Sequence, residues 1–259
     1  MFNQVTIIGC GLIGSSIFKR LKKVGSIKKL ITYDKDETVT EVIKKDKLSD
    51  EIFDKPSEAV KNSDLIVIAT PISSLESVLN SIKGNLKNGS ILTDTCSVKK
   101  RVSKIFKNMN LKSSICIPGH PVAGTENSGP KSGNIDLFQN RWTILTPDKN
   151  INEQDIKISK FWESMGSKVK IMTAENHDKI LSFTSHLPHA IAYNIVQTSM
   201  ANDDKTKDEI IRYSAGGLRD FTRIAASDPI MWRDIFIDNS SLIIEGIDKL
   251  RVIFDLLFD

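Results

Sequence analysis

The stretch Val5-Thr6-Ile7-Ile8-Gly9-Cys10-Gly11-Leu12-Ile13-Gly14 decides the fold of this 259-residue chain. Its last six residues fit the pattern G-x-G-x-x-G, which is weak evidence alone because glycine-rich turns are common. Here the pattern directly follows a β-branched run and opens a stretch, 12–24, with the apolar spacing of a helix. A strand, a glycine turn and a helix in that order predict a dinucleotide-binding βαβ fold, whereas a purely structural tight turn is the alternative.

Each glycine of the turn has a predicted task in holding the cofactor. Gly9 permits the tight turn, Gly11 lets the backbone approach a pyrophosphate, and Gly14 lets the helix pack closely on the strand. The free N–H groups at the start of the helix, around Leu12 and Ile13, are expected to bind the pyrophosphate, because the helix dipole favours negative charge there.

Two further segments are expected to contact the cofactor. Asp34 ends the second predicted strand, where a carboxylate accepts hydrogen bonds from the ribose hydroxyls and repels a 2′-phosphate. This favours NAD over NADP, although Lys35 reduces the repulsion, and a plain turn aspartate is the alternative. Thr70 and Pro71 follow the third strand. They are predicted to line the adenosine and ribose side, because ligands in this architecture lie outside the carboxyl ends of the strands.

The first part of the chain alternates strand and helix signals. Up to about residue 147, β-branched runs predict strands at Val5–Ile8, Leu30–Tyr33, Leu65–Thr70, Ile91–Asp94 and Ser114–Ile117. Amphipathic stretches predict helices near 12–24, 37–46, 74–83 and 98–109. Such alternation is typical of a mostly parallel, doubly wound sheet of the α/β Rossmann class. Edge strands at Trp142–Leu145 and Val169–Met172, joined by a helix near 153–165, are expected to complete that sheet.

Strand signals stop near residue 173, and helices are predicted near 175–201, 205–215, 219–226 and 229–257. We therefore expect a dinucleotide-binding domain at 1–150, a connection completing the sheet at 151–172, and an all-helical substrate and dimerisation domain at 173–259. The stretch Met231–Phe258 is apolar around much of its circumference, which is typical of a helix buried within its domain or against a partner chain. A homodimer through the C-terminal helices is expected.

Composition argues against several classes of function. Lys+Arg number 36 and Asp+Glu 32, a net charge of +4 spread along the chain, so neither nucleic acid nor a membrane is an expected partner. The longest apolar runs fall far short of the roughly 20 residues that span a bilayer. Three cysteines without metal-ligand spacing predict reduced thiols and no metal site. Since the N-terminus has no signal-peptide pattern, a cytoplasmic protein is expected.

His120 is the first candidate for chemistry. It lies in Pro118-Gly-His-Pro-Val-Ala-Gly-Thr-Glu126, immediately after the fifth predicted strand, where prolines and glycines fix the backbone at the ligand-binding edge of the sheet. A histidine is suited to take a hydroxyl proton as hydride leaves the same carbon, because its usual pKa lies near working pH. A structural loop histidine is the alternative.

Arginines are concentrated in the helical part. The chain has eight arginines against 28 lysines, and four of the eight, Arg212, Arg219, Arg223 and Arg233, fall within one short segment. The planar guanidinium binds a carboxylate in bidentate fashion, which lysine cannot match. The cluster therefore predicts a site for a small carboxylate substrate. The residues alone do not choose among the four, and a helix-surface charge cluster is the alternative.

The segment Ser185-His-Leu-Pro-His189 lies within the first predicted long helix. A proline inside a helix costs about 3 kcal/mol, so it requires a compensating reason. Ser185 and His189 are four residues apart and share one face, whereas His186 points elsewhere and is interpreted as structural. His177 is interpreted as a helix-start residue rather than a ligand.

Five segments of the chain together resemble the prephenate/arogenate dehydrogenase family of tyrosine biosynthesis. They occur in order over nearly the whole chain, at Gly9–Gly14, Ser97–Lys99, Gly119–Glu126, His186–His189 and Gly216–Arg223. The resemblance implies a Rossmann domain followed by a helical dimerisation domain. It also implies NAD-dependent oxidative decarboxylation of prephenate to 4-hydroxyphenylpyruvate, or of arogenate to tyrosine. The choice of substrate stays open, with prephenate preferred.

The resemblance implies a role for each candidate residue. His120 would accept the proton of the ring hydroxyl while hydride passes to nicotinamide, and Ser97 would orient that hydroxyl. Arg223 would bind a substrate carboxylate. The other implied pocket residues are His189 and Ser185, the gating or orienting carboxylates Glu126 and Asp220, and Trp232 as a wall.

Two other interpretations stay open. Another Rossmann-plus-helical dehydrogenase, such as an imine reductase or a β-hydroxyacid dehydrogenase, explains the glycine turn but not the Gly119–Glu126 segment together with the arginine-rich helix. A non-catalytic dinucleotide sensor does not require His120, Ser97 and Arg223 together.

Overall fold

The computed structural model describes residues 2–111, 114–148 and 151–258. The chain falls into two units, Met1–His177 and Asp178–Asp259. The domain boundary expected at residue 150 lies outside the described residues.

A six-stranded parallel sheet is the centre of the first unit. Its strands lie in the order β3-β2-β1-β4-β5-β6, and every neighbouring pair is parallel. The strands are β1 Gln4–Ile8, β2 Lys29–Tyr33, β3 Glu51–Ile52, β4 Leu65–Ile68, β5 Ser90–Asp94 and β6 Ser114–Cys116. This is the doubly wound order of the Rossmann class, so the fold-class prediction is confirmed. The order reverses between β1 and β4, where this architecture places its ligand crevice.

Helices follow most strands of this unit and bury one face against the sheet. They are α1 Leu12–Val24, α2 Glu37–Lys45, α3 Pro56–Ala59, α4 Ile72–Ile82, α5 Lys100–Met109 and α6 Glu153–Ser164, and α7 Ala174–Leu181 crosses into the second unit. Helix α1 buries Ile17, Phe18 and Leu21 in the core cluster. It ends at Gly25, whose left-handed φ of 66° closes the last turn with a hydrogen bond to the carbonyl of Leu21.

The prediction that two later strands complete the main sheet is wrong. Strands β8 Trp142–Leu145 and β9 Lys168–Ile171 form a second sheet with β7 Gly119–Pro121, in the order β7-β8-β9. Strand β7 follows β6 after two residues, and it pairs antiparallel with β8 rather than continuing the parallel sheet. The segment 151–172 therefore completes this second sheet through α6 and β9, because β9 pairs parallel with β8.

The second unit is helical, and two of its predicted long helices are interrupted. Its elements after α7 are a π-helical turn at Ser182–His186, α8 Leu187–Met200, α9 Asp204–Tyr213, α10 Gly216–Ala225, α11 Pro229–Asp238 and α12 Ser240–Phe258. The predicted helix 175–201 widens at the π turn because Pro188 has no N–H to donate to the preceding turn. The predicted helix 229–257 breaks at Asn239, whose side chain is buried and donates hydrogen bonds to Asp178 and His186.

Within the described part of the chain, every helix is too short or too polar to span a lipid bilayer.

Candidate active site

The glycine turn lies between β1 and α1 and leaves little room for side chains at two of its three glycines. Gly9 has a φ of 90°, and a Cβ there would lie 2.7 Å from the carbonyl oxygen of Ala69. A Cβ on Gly14 would lie 2.1 Å from the carbonyl oxygen of Gly9. The two positions therefore require glycine, since helix, turn and neighbouring strand are in direct contact.

Gly11 differs from its neighbours because a Cβ there would meet nothing within 4 Å. It is the N-cap of α1, with no side-chain cap and no acidic residue in the first turn. The backbone N–H groups that open the helix at Leu12 and Ile13 have no acceptor within the helix, which is the arrangement that binds a pyrophosphate. The residues present fit the dinucleotide that the sequence predicts.

Asp34 follows β2 directly and is held against the glycine turn. Its Oδ2 accepts a hydrogen bond from the N–H of Cys10 at 2.6 Å, and its Oδ1 accepts from the N–H of Asp36 at 3.0 Å. Burial raises the pKa of the Cys10 thiol to about 12, and the nearby Asp34 carboxylate adds to that rise. The thiol therefore stays protonated at neutral pH and is not a nucleophile.

The loop after β4 reaches the same edge of the sheet as the turn. The strand ends at Ile68, two residues earlier than predicted. Thr70 is half-buried, and its hydroxyl is buried without a hydrogen-bond partner among the described residues. Pro71 is exposed and is the N-cap of α4.

His120 lies in the middle of β7 and is only 7% exposed. Its Nδ1 lies 2.8 Å from Nε2 of His177, which is fully buried in the first turn of α7. The two rings meet edge to face, with centroids 5.0 Å apart. The sequence placed His177 correctly at a helix start but missed this contact, because 57 residues separate the two histidines.

The contact between the two imidazoles links the tautomer of His120 to that of His177. One of the two facing nitrogens donates a proton and the other accepts it. If Nδ1 of His120 is the donor, its Nε2 carries a lone pair and can accept a proton from a substrate hydroxyl. His177 then acts as the acceptor that keeps His120 in this tautomer.

The two other candidates of the first unit lie on irregular segments. Ser97 is half-buried in the turn between β5 and α5. Glu126 is exposed in the loop that follows β7. Among the residues that the structure describes, no group of three or more His, Cys, Asp or Glu is arranged to hold a metal ion.

In the second unit, the π turn brings Ser185, His189 and Trp232 together. Nδ1 of His189 donates to the main-chain carbonyl of Ser185 at 2.8 Å, so Nε2 is left as an acceptor in the neutral ring. The ring stacks on Trp232 with centroids 3.6 Å apart and planes 16° apart. Burial lowers the pKa of His189, while the bond to Ser185 opposes that shift. The imidazole is therefore held neutral and oriented.

His186 and Asn239 form a separate buried pair that supports this group of residues. The side-chain amide of Asn239 donates to the carbonyl of Asp178 at 3.0 Å and to Nδ1 of His186 at 2.9 Å. His186 also packs edge to face on Trp232, with centroids 6.2 Å apart. The structural interpretation of His186 agrees with this packing.

The arginine cluster contains side chains in different situations. Arg233 donates twice to the Asp234 carboxylate, at 2.9 Å and 2.6 Å. Arg223 on α10 is 60% exposed and only 3.8 Å from Asp220, which is itself 76% exposed. Arg212 lies over the ring of Tyr213 at 5.7 Å, and Arg219 is exposed on α10. Arg223 and Arg233 are equally exposed, at 60%, and differ in that Arg233 has the closer carboxylate partner.

The glycine turn follows the carboxyl end of β1, and His120 follows that of β6 after a short link, a placement typical of a dinucleotide-dependent dehydrogenase. Comparison with known proteins narrows this class. Residues 17–171 match the family model "Prephenate dehydrogenase, nucleotide-binding domain", and residues 173–255 match "Prephenate dehydrogenase, dimerization domain". The chain belongs to the prephenate dehydrogenase family.

Individual relatives agree with this assignment. The chain is 39% identical to cyclohexadienyl dehydrogenase from Zymomonas mobilis, covering 96% of this chain and 85% of the relative. It is 32% identical to prephenate dehydrogenase from Lactococcus lactis, covering 96% and 68%. A crystal structure of prephenate dehydrogenase from A. aeolicus, in complex with hydroxyphenyl propionate and NAD+, superposes with a TM-score of 0.89 at 31% identity, covering 99% and 90%.

These findings confirm three of the predictions made from the sequence: the prephenate/arogenate dehydrogenase family, the Rossmann class followed by a helical domain, and an oxidoreductase. They favour this family over the imine reductase, β-hydroxyacid dehydrogenase and sensor interpretations.

Proposed function

We propose that this chain catalyses the NAD-dependent oxidative decarboxylation of prephenate to 4-hydroxyphenylpyruvate. When bound, NAD supplies the acceptor for the hydride that leaves ring carbon C4. The C4 hydroxyl becomes a carbonyl and then a phenol as CO2 leaves the ring. Because loss of CO2 makes the ring aromatic, the driving force is already in the substrate. The protein therefore has to position the substrate and accept the hydroxyl proton.

The observation that carries this proposal is the buried His120–His177 pair at 2.8 Å. With Nδ1 of His120 engaged, its Nε2 is the nitrogen that takes the hydroxyl proton. His177 keeps the lone pair on that nitrogen and stabilises the imidazolium once it forms. Ser97, in the turn before α5, orients the same hydroxyl.

The cofactor in this proposal is NAD, held by the turn at Gly9, Gly11 and Gly14. The pyrophosphate takes the space over Gly11 and the N–H groups of Leu12 and Ile13. Asp34 faces the ribose, where a carboxylate disfavours the extra phosphate of NADP. Thr70 and Pro71 line the adenosine side. The A. aeolicus relative was crystallised with NAD+, which supports this choice.

The substrate carboxylate is assigned to Arg223, because its ion pair with Asp220, at 3.8 Å, is longer than that of Arg233 with Asp234, at 2.6 Å. His189 and Ser185 are assigned as further substrate contacts, and Trp232 supports the His189 ring by stacking. Glu126 and Asp220 are assigned as gating or orienting carboxylates. Both are exposed, which leaves them able to move on substrate binding.

Arogenate is the second candidate substrate. It differs from prephenate by an ammonium group in place of a keto group on the side chain, so the ring chemistry assigned to His120 is the same. The relative with 39% identity has the broader name cyclohexadienyl dehydrogenase, which favours testing both compounds.

A homodimer is part of the proposal. The last helix, α12, exposes many large apolar side chains, among them Ile244, Val252, Ile253, Phe254, Leu256, Leu257 and Phe258. An apolar surface of this kind is typical of a protein interface. Residues 173–255 match a dimerization domain, so a second copy of this chain is the expected partner.

The activity is tested by following absorbance at 340 nm with prephenate or arogenate and with NAD or NADP. We expect the highest kcat/KM with prephenate and NAD. An unchanged absorbance with both substrates and both cofactors would contradict the proposed function. A higher kcat/KM with arogenate would leave the dehydrogenase intact and move the assignment to the second candidate.

Two variants test the residue roles in the same assay. His120→Asn is expected to lower kcat with folding and NAD binding preserved, and nearly intact turnover would refute the base assignment. Arg223→Ala is expected to raise KM for prephenate about ten- to 150-fold, because a charge-assisted contact contributes roughly 1.5–3 kcal/mol. Arg141→Ala, which removes an exposed arginine of the first unit, is the matched control. An unaltered KM in Arg223→Ala would mean that another arginine binds the carboxylate.

A further inference from the structure

A buried charged pair flanks Ser97 in the sequence and binds Gly119, the residue before His120. Asp94, the last residue of β5, and Lys99 are both 0% exposed, and Lys99 Nζ lies 2.5 Å from Asp94 Oδ2. The same Oδ2 accepts from the N–H of Cys96 at 2.9 Å, and Oδ1 accepts from the N–H of Gly119 at 3.0 Å. Lys99 Nζ also donates to the carbonyl of Gly119 at 2.6 Å.

The pair fixes the main chain on both sides of the candidate site. Both polar main-chain groups of Gly119 are bound, the N–H by Asp94 and the carbonyl by Lys99. Gly119 directly precedes His120, just as Cys96 directly precedes Ser97. One carboxylate therefore binds both the residue before His120 and the residue before Ser97.

The approach of β7 to the end of β5 is too close for any side chain at position 119. A Cβ on Gly119 would lie 2.9 Å from Oγ1 of Thr93 and 3.1 Å from the carbonyl oxygen of Asp94. The segment that carries His120 is therefore seated directly on the segment that carries Asp94. This contact is independent of the hydrogen bonds and locates the same two segments against each other.

Stability alone is a weak reason to bury two charges. The desolvation penalty of an ion pair in a protein interior often equals or exceeds its Coulombic gain, and apolar residues of similar volume frequently serve as well. An apolar pair, however, could not bind an N–H and a carbonyl of the same residue. What the charged pair adds is a fixed geometry for the main chain that it binds.

We propose that Asp94 is a positioning residue for the reaction: it sets the backbone of Cys96–Ser97 relative to that of Gly119–His120, with Lys99 as its partner. The inference rests on the proposed function, because it acts through His120. It predicts that Asp94 affects the turnover step and leaves the affinity for NAD nearly unchanged. A displacement of about 1 Å between reacting groups can cost as much as about a hundredfold in rate.

The chain offers a matched control at the amino ends of the strands of the same sheet. Asp64 directly precedes β4 and also accepts from two main-chain N–H groups, those of Asn3 at 2.7 Å and Gln4 at 3.2 Å. It also pairs with a lysine, Lys87, at 2.5 Å. Asp64 thus has the same kinds of bonds as Asp94 at the amino ends of the strands, away from the candidate site.

The experiment compares Asp94→Asn and Asp64→Asn with and without His120→Asn, measuring kcat, KM and NAD affinity in the full-length chain. Asp94→Asn is expected to lower kcat at least about tenfold, with KM for prephenate and the Kd of NAD within about twofold. Asp64→Asn is expected to leave kcat unchanged. In the His120→Asn background, Asp94→Asn is expected to cause little further loss, which a merely structural role would not predict.

Two results would overturn the inference: an equal loss of kcat in the Asp94→Asn and Asp64→Asn variants, or a loss in Asp94→Asn that is just as large without His120. Either result leaves the base assignment standing as long as His120→Asn alone lowers kcat. If His120→Asn keeps its turnover, the base assignment itself fails. The two failures are therefore distinguishable.

A second variant covers the case in which Asp94→Asn does not fold because Lys99 loses its counter-charge. The double variant Asp94→Asn with Lys99→Gln removes both charges, keeps the side-chain length at position 94 and shortens the side chain at position 99 by one atom. It should still show the loss of kcat, because one amide oxygen cannot accept from both Cys96 and Gly119 in the way that the two carboxylate oxygens do. A wild-type kcat in this neutral variant would overturn the inference.

Discussion

His177→Phe is the substitution that most directly tests how the candidate base is prepared for its reaction. The change keeps a ring of similar shape and removes the nitrogen that faces Nδ1 of His120, at 2.8 Å. His177→Gln is the matched variant, because its amide oxygen retains a hydrogen-bond acceptor. The structure predicts separate effects on folding and on turnover.

The two magnitudes follow from the burial of the pair. His120 is 7% exposed and His177 is fully buried, so an unpaired ring nitrogen is expected to cost about 1–3 kcal/mol of stability. When His120 takes a proton, its bond to His177 becomes charge-assisted. Such bonds contribute roughly 1.5–3 kcal/mol against about 0.5–1.5 kcal/mol for neutral ones. The gain of about 1–1.5 kcal/mol is available only in the reacting state, so its loss lowers kcat about five- to twelvefold.

The assay is steady-state turnover with prephenate and NAD, together with denaturant unfolding of each variant. We expect His177→Phe to lose both stability and kcat, and His177→Gln to recover part of each. If kcat in His177→Phe equals that of the unmodified chain while stability falls, His177 is a packing residue and the tautomer argument is wrong. If neither quantity changes, the contact between the two imidazoles has no energetic role in solution.

Two other expectations concern the cofactor turn and the second unit. Gly14→Ala should destabilise the fold and abolish NAD binding, because its Cβ would lie 2.1 Å from a main-chain oxygen. Gly11→Ala, whose Cβ would meet nothing within 4 Å, should fold normally and weaken only NAD binding. Denaturant unfolding and NAD titration measure the two effects, and equal losses of stability in the two variants would contradict the different roles assigned to Gly11 and Gly14. Because the pKa of His189 is lowered in the folded state, its unfolded form binds more protons below the usual histidine pKa. Its contribution to stability is therefore complete above about pH 6.5 and falls as the pH drops towards the lower folded pKa. Unfolding of the unmodified chain and of His189→Gln at pH 7.5 and 5.5 tests this, and an identical pH dependence would refute it.

The main sheet was predictable because its signals are local. Strand β4 is four consecutive buried apolar residues, Leu65–Ile68, as expected for a strand covered on both faces. The glycine turn was predictable for the same reason. Gly9 and Gly14 are required because a side chain at either position would clash with main-chain atoms of the turn or of the residue that follows β4. Strand β7 was not, because Gly119–Pro121 contains a glycine and a proline and has the composition of a loop. Only its pairing with β8, which follows much later in the chain, makes it a strand.

The supports of the candidate base were not predictable from local pattern. His120 finds its partner 57 residues away, and Asp94 reaches Gly119 across 25 residues. A buried aspartate and a buried lysine resemble ordinary surface residues in a sequence that is rich in both. The spacing of Asp94 and Lys99 gives no helical or strand periodicity, because the two residues span a strand end, a turn and a helix start.

The proline at position 188 shows how a local conflict in a sequence can point to a site. Without an N–H, Pro188 cannot continue the ladder of a regular helix, and the backbone before it widens so that Leu187 bonds to the carbonyl of Ser182. In this irregular turn, the carbonyl of Ser185 is bound by the ring of His189. The imidazole is thereby fixed in one tautomer and stacked on Trp232. The hydrogen bond and the stacking contact together fix the ring orientation that the proposed substrate contact of His189 requires.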